Sequence, residues 1–208
     1  MKLGIRADGF KKYLSSLDKL LEQAVKLDAD FESRVEFPIE IYALGGFSML
    51  YYGLRYGGTE DIDSANEIKA PVKELIKKVA EEEGLPHDWL NDVPARNLFY
   101  NKNQYAWIKA DWNFKYISLY VIEMLDLLKN KMAVADKVLM QSTDRNNEKD
   151  FDDVEGIIDK MGCDYKDIDE LVSWFKEHEI DLLEYPNVYD KFVERISDDG
   201  LYWPDGHI

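Results

Sequence analysis

Two aspartates separated by one residue, Asp61-Ile62-Asp63, form the first group in this sequence that could do chemistry. On an extended backbone, residues two apart share a face, so both carboxylates point one way and Ile62 points inward. Adjacent anions repel, and each raises the other's proton affinity unless a cation lies between them. Hard carboxylate oxygens in such a pair suit Mg²⁺, which keeps some waters and takes phosphate oxygens from a substrate. The plain alternative is two solvated aspartates at a strand end. Upstream, Gly45-Gly46-Phe47-Ser48 stands where a strand gives way to a helix. Glycines let backbone approach a ligand closely. The helix start offers free N–H groups and the positive end of its dipole, and Ser48 adds a hydroxyl. An ordinary turn with a serine cap is the alternative. No Gly-Lys-Ser/Thr follows, which separates this turn from the nucleoside-triphosphate P-loop.

A third candidate lies further on. Met124, Leu125, Leu128, Met132, Ala135, Val138 and Leu139 mark the apolar side of a helix, and Lys131 falls on or beside it. In the next helix Phe151, Val154, Ile158 and Met161 face inward, and Asp150, four before Val154, shares their side. Lys131 and Asp150 therefore invite pairing. One reading is a structural ion pair tying two helices together. The other is a lysine held ready to contact a triphosphate. Other groups offer less. His87, His178 and His207 are far apart and lack metal spacing, and Cys163 is the single cysteine. The segment from Asp144 to Asp153 resembles a calcium loop but carries Lys149 at the position that needs glycine.

These residues need elements to hold them. Apolar periodicity predicts a helix from Phe10 to Phe31. A short strand over Ile39–Leu44 enters the glycines, and a compact helix covers Phe47–Leu54. A second strand spans Thr59–Ala65. Pro71 opens an amphipathic helix that ends at Gly84. The stretch from Leu85 to Asn103 reads as loop, with a short helix near Asp88–Asp92. Strands follow at Tyr105–Ala110 and Lys115–Ile122, then a long helix over Glu123–Met140, a polar turn over Gln141–Asn147, and helices at Asp150–Met161, Tyr165–His178 and Val188–Ile196. The class is α+β: a small mixed sheet with flanking helices and a helical C-terminal part. The expected division is 1–143 for the core with its N-terminal helix and 144–208 for an acidic helical part packed on it.

Charge bounds the partners. The 208 residues carry 26 Lys plus Arg and 42 Asp plus Glu, a net charge of -16. From Asp144 onward there are 20 acidic and 7 basic residues, so the remainder holds 22 acidic and 19 basic, a net of only -3. This argues against a broad basic nucleic-acid surface but leaves room for a small acceptor end. The acidic C-terminal helices suit a basic partner. One cysteine allows no intrachain disulfide, and no apolar stretch has the length of a membrane span. The expectation is a cytoplasmic protein without a membrane partner.

Taken in order, the motifs resemble a known family. Gly45-Gly46-x-Ser48, Gly53-Leu54-Arg55 and Thr59-x-Asp61-Ile62-Asp63 look like the opening motifs of the nucleotidyltransferase superfamily, in the style of AbiEii-type toxins and related bacterial domains. Leu127-Leu128-x-x-Lys131-x-x-Val134-Ala135, Arg145 and Lys149-Asp150-Phe151-x-Asp153 resemble the later block of that family. The resemblance spans Ile39 to about Ile158. It implies a nucleotidyltransferase-like fold and transfer of a nucleotidyl group from a nucleoside triphosphate. RNA, including tRNA, or protein would be the acceptor, and an antitoxin protein would be a partner. Asp61 and Asp63 would hold Mg²⁺. Gly45, Gly46, Ser48 and Lys131 would bind the nucleotide, and Asp150 would orient it. One departure stands out. Where the family adds a third carboxylate on a later strand, this sequence offers Ser118 and Tyr120, with Asp111 as a fallback on the preceding strand. A catalytically silent nucleotide-binding or protein-interaction domain is therefore the alternative.

Overall fold

A computed structural model of the chain describes residues 5–55, 58–96, 102–141 and 148–198. Its contacts separate into two compact units, Met1–Glu123 and Met124–Ile208. The break falls before the long helix rather than after it, so the expected 1–143 core gives up that helix to the C-terminal unit. The class is α+β, with a small mixed sheet.

In the N-terminal unit, helix α1 (Ala7–Leu27) buries Phe10, Leu14, Leu17 and Leu21. Their spacings of four, three and four residues keep one stripe against the core. Burying each such side chain contributes roughly 1.5–3 kcal/mol. The predicted helix to Phe31 breaks earlier. The Asp28 carboxylate accepts the Asp30 N–H at 3.0 Å, and a separate turn, α2 (Phe31–Arg34), follows. An aspartate that satisfies the backbone locally competes with helix continuation.

Strand β1 (Ile39–Ala43) alternates buried Ile39, Ile41 and Ala43 with half-buried Glu40 and Tyr42. It leads into α3 (Gly45–Tyr51), which begins at the glycines themselves and has only 7 residues. Strand β2 is short (Ile62–Asp63), and the bridges at Thr59 and Ser64 extend its path. Helix α4 (Ala70–Glu83) runs between Pro71 and Gly84, as predicted. The helix expected near Asp88–Asp92 is instead β3 (Leu90–Asn91), paired in parallel with β2. Trp89 is fully buried beside it and donates Nε1–H to the Ile76 carbonyl at 3.1 Å. Strands β4 (Trp107–Lys109) and β5 (Ile117–Ile122) complete a sheet of order β1-β5-β4. The β1–β5 pair is parallel, Ile41 opposite Leu119, and the β4–β5 pair is antiparallel.

The C-terminal unit holds α5 (Met124–Gln141), α6 (Lys149–Lys160), α7 (Ile168–Glu177) and α8 (Pro186–Asp198). Helix α5 packs on α6 and α8, which is why it belongs to this unit. The rings of Phe151 and Phe192 meet at 4.8 Å in the core. The Asp136 carboxylate on α5 accepts the Asn187 N–H at 2.8 Å, supplying the first turn of α8 with an acceptor. Helix α7 is closed by its own sequence: the Asp167 side chain accepts the Glu170 N–H at 2.9 Å, and Glu170 accepts the Lys166 N–H at 2.9 Å. Among the described residues, no helix is long and apolar enough to cross a membrane.

Candidate functional site

The segment around β2 runs antiparallel along the edge of β1 that β5 leaves free. Ala43 bridges Ser64, the Leu44 N–H donates to the Asp63 carbonyl at 2.9 Å, and the Ala65 N–H donates to the Tyr42 carbonyl at 2.8 Å. Alternation then assigns the faces. Ile62 and Ser64 turn inward and are fully buried, while Asp61 and Asp63 turn to the opposite face and are half-buried. The predicted sharing of a face by the two aspartates therefore holds, and the same hydrogen bonds fix them beside the glycine turn.

The two glycines serve different ends. Gly45 has φ 54°, a left-handed conformation that costs other residues about 1–2 kcal/mol. Gly46 is needed for room: a Cβ there would stand 2.7 Å from Arg55 Nη1 and 2.7 Å from Thr59 Oγ1. A guanidinium and a hydroxyl thus press against bare backbone. Arg55 and Thr59 received no role from sequence reasoning, although both lie inside its motifs. Their signal was position: one follows Gly53 by two residues, the other precedes Asp61 by two.

Ser48 is corrected. Its hydroxyl is fully buried and donates to the Ala43 carbonyl at 2.8 Å. It ties α3 to the end of β1 and is closed to solvent. With α3 reduced to two turns, little helix dipole remains to support an anion there. The polar side chains packed on the glycine turn are Arg55 and Thr59.

The acid pair carries electrostatic strain. Burial first, then the negative charges of Asp63, Asp88 and Glu60, push the Asp61 carboxyl up to about 6. A carboxylate held in this way gains most from a cation. Among the described residues, no three His, Cys, Asp or Glu side chains group as a metal cluster. Ser118 is buried in β5, Tyr120 stacks on Tyr42 with centroids 4.7 Å apart, and exposed Asp111 lies 3.5 Å from the Tyr51 hydroxyl. The donor set is thus two hard carboxylates. It suits an ion that takes its other ligands from water and phosphate.

In the C-terminal unit, Lys131 Nζ lies 3.1 Å from Asp150 and 2.6 Å from Asp153. Lys131 is buried, and Asp153 is buried with it. The expected Lys131–Asp150 pair exists, with Asp153 as the nearer partner. Sequence reasoning named Asp153 within the family-like block and gave it no role. The two carboxylates already neutralise the lysine, the arrangement of a structural tie. Arg145 lies outside the described residues.

No protein-family model, curated protein or solved structure matches the chain.

Proposed function

We propose that the chain is a Mg²⁺-dependent nucleotidyltransferase that moves a nucleotidyl group from a nucleoside triphosphate to an RNA or protein acceptor. A toxin of a toxin–antitoxin or phage-defence pair is the role this reading favours. One observation carries it. The hydrogen bonds from Leu44 to Asp63 and from Ala65 to Tyr42 put an anionic pair next to a glycine turn faced by Arg55 and Thr59. Carboxylates for a cation and donors for phosphate are what such a reaction needs, because it proceeds by positioning and charge neutralisation.

Asp61 and Asp63 would hold the ion, which when bound neutralises phosphate charge and polarises the reacting phosphoryl group. Arg55 and Thr59 would bind phosphate oxygens over Gly46, and Gly45 sets the turn. The acceptor hydroxyl attacks the α-phosphorus, the bond to the β-phosphate breaks and pyrophosphate leaves. The proton of the hydroxyl passes to solvent.

A second reading, a nucleotide binder without transfer activity, is favoured by specific residues. Lys131 is committed to Asp150 and Asp153, Ser48 to Ala43, and Ser118 and Tyr120 stand where the third carboxylate is expected. One experiment separates the two. The protein is incubated with each α-labelled nucleoside triphosphate, Mg²⁺, and tRNA or cell protein. Transfer that Asp63→Ala abolishes supports the enzyme. Binding of nucleotide without transfer to any acceptor or to the protein itself supports the binder.

A further inference from the structure

The face of the N-terminal sheet opposite Ile41 and Leu119 carries a row of rings. Tyr42 on β1 and Tyr120 on β5 are register partners, and their rings stack at 4.7 Å with an interplanar angle of 9°. Trp107 on β4 meets Tyr42 edge-on at 5.0 Å. All three are half-buried rather than sealed. The core side of this sheet is filled by Ile41, Ala43, Leu119 and Val121, so the rings are not needed to complete it.

Strand alternation relates this row to the acid pair. Tyr42 lies opposite Ala65 and Asp63 is two residues from Ala65, so Tyr42 and Asp63 are diagonal neighbours on one face. Diagonal cross-strand residues lie about 7–8 Å apart. That separation is the scale of the step from phosphate to base within one nucleotide.

Tyr120 stacks on one face of the Tyr42 ring, and the Tyr42 hydroxyl donates to Glu40 Oε2 at 3.0 Å. Lys102 Nζ stands over the ring at 4.7 Å. That lysine is held by a 3.9 Å contact to Glu40, at the limit of an ion pair, and its side chain is 40 % exposed. It is a displaceable cation positioned where a phosphorylated ligand would need one. Beyond it, Glu40 and Lys102 form one wall of a cavity of about 540 Å³. The volume falls within the range of small-molecule sites, about 300–1,000 Å³.

We propose that the base of the nucleotide held at Asp61 and Asp63 stacks on Tyr42, supported by Tyr120 and Trp107, with Lys102 moving aside to the phosphates. The inference rests on the nucleotide reading above and adds to it the residue that would discriminate a nucleoside triphosphate from bare polyphosphate.

Calorimetric titration in Mg²⁺ tests it, with a nucleoside triphosphate and with inorganic tripolyphosphate as ligands. A single base–aromatic stack predicts that the nucleotide binds about tenfold tighter than tripolyphosphate. Tyr42→Ala removes that advantage and leaves tripolyphosphate binding unchanged, which also shows that the variant is folded. Tyr42→Phe keeps the advantage. A measurement on the unaltered protein guards against a misfolded variant: the nucleotide, and not tripolyphosphate, shields Tyr42 from nitration as read by mass spectrometry. Equal affinity for both ligands with no shielding overturns the stacking proposal. If tripolyphosphate binding in that case still needs Asp63, the nucleotide site survives without it. If neither ligand binds, both readings fail together. Shielding by single-stranded RNA alone assigns the rings to the acceptor and overturns the proposal as stated.

Discussion

Two groups of aspartates, one in each unit, carry their charge in opposite ways. In the C-terminal unit Asp150 and Asp153 close on Lys131, and Glu148, Asp152 and Glu155 converge on Arg195 at 2.9 Å each. In the N-terminal unit Asp61 and Asp63 sit side by side among further acids, and Asp61 is driven up to about 6 by burial first and then by those neighbouring charges. Neutralised charge ties helices together. Charge left in repulsion at a half-buried position costs stability, and groups perturbed in this way cluster at functional sites. The contrast locates the candidate site better than the net charge does.

The largest effect should come from breaking the compensated cluster. Lys131→Met leaves two carboxylates without their cation, one of them buried, and a broken buried pair costs about 3–5 kcal/mol. Urea unfolding should show that loss. A cost below about 1 kcal/mol would mean that the cluster is not what holds α5 to α6.

Next is the glycine turn. A methyl on Gly46 meets Arg55 and Thr59 at 2.7 Å, so Gly46→Ala should cost about 1–3 kcal/mol by overpacking and weaken binding of Mg²⁺-tripolyphosphate. Full stability with unchanged binding would remove Arg55 and Thr59 from the site.

The acid pair should respond with the opposite sign. The Asp61 carboxyl lies above its ordinary value in the folded protein, so the folded state holds the proton more tightly than the unfolded chain. Its favourable contribution is present below pH about 4 and is lost as pH rises to about 6. Asp61→Asn should therefore raise the melting temperature at pH 7 and flatten the fall between those limits. Solvent screening at a half-exposed site keeps the gain near ~1 kcal/mol, or about 2–4 °C in a chain of this size. A destabilised Asp61→Asn would show the pair to be structural.

The smallest effect concerns α7, whose Asp167 cap has an ordinary architectural role. Asp167→Ala should cost about 1 kcal/mol without changing ligand binding.

Much of this was legible in the chain. Helices α1, α4 and α5 announce themselves by periodicity, and Pro71 and Gly84 bound α4. Sharing of a face by Asp61 and Asp63 follows from strand geometry alone. What escaped depends on neighbours distant in sequence or on local competition. Leu90–Asn91 is too short to show alternation and is a strand only because Ile62 pairs with it. The break after Leu27 depends on one aspartate side chain. Ser48 has the residue type of a phosphate donor, and only the position of the Ala43 carbonyl reveals its commitment. Asp153 lies three residues after Asp150 and so shares its side of α6, but its approach to Lys131 depends on how α5 packs on α6.

The most direct test of the contrast is the melting temperature at pH 7.5 as Mg²⁺ is added, compared between the unaltered protein and the Asp61→Asn, Asp63→Asn double variant. Uncompensated carboxylates predict that Mg²⁺ raises the melting temperature of the unaltered protein in a saturable way and leaves the double variant, already stabilised, unmoved. The same response in both proteins, or none in either, would contradict a cation site at Asp61 and Asp63.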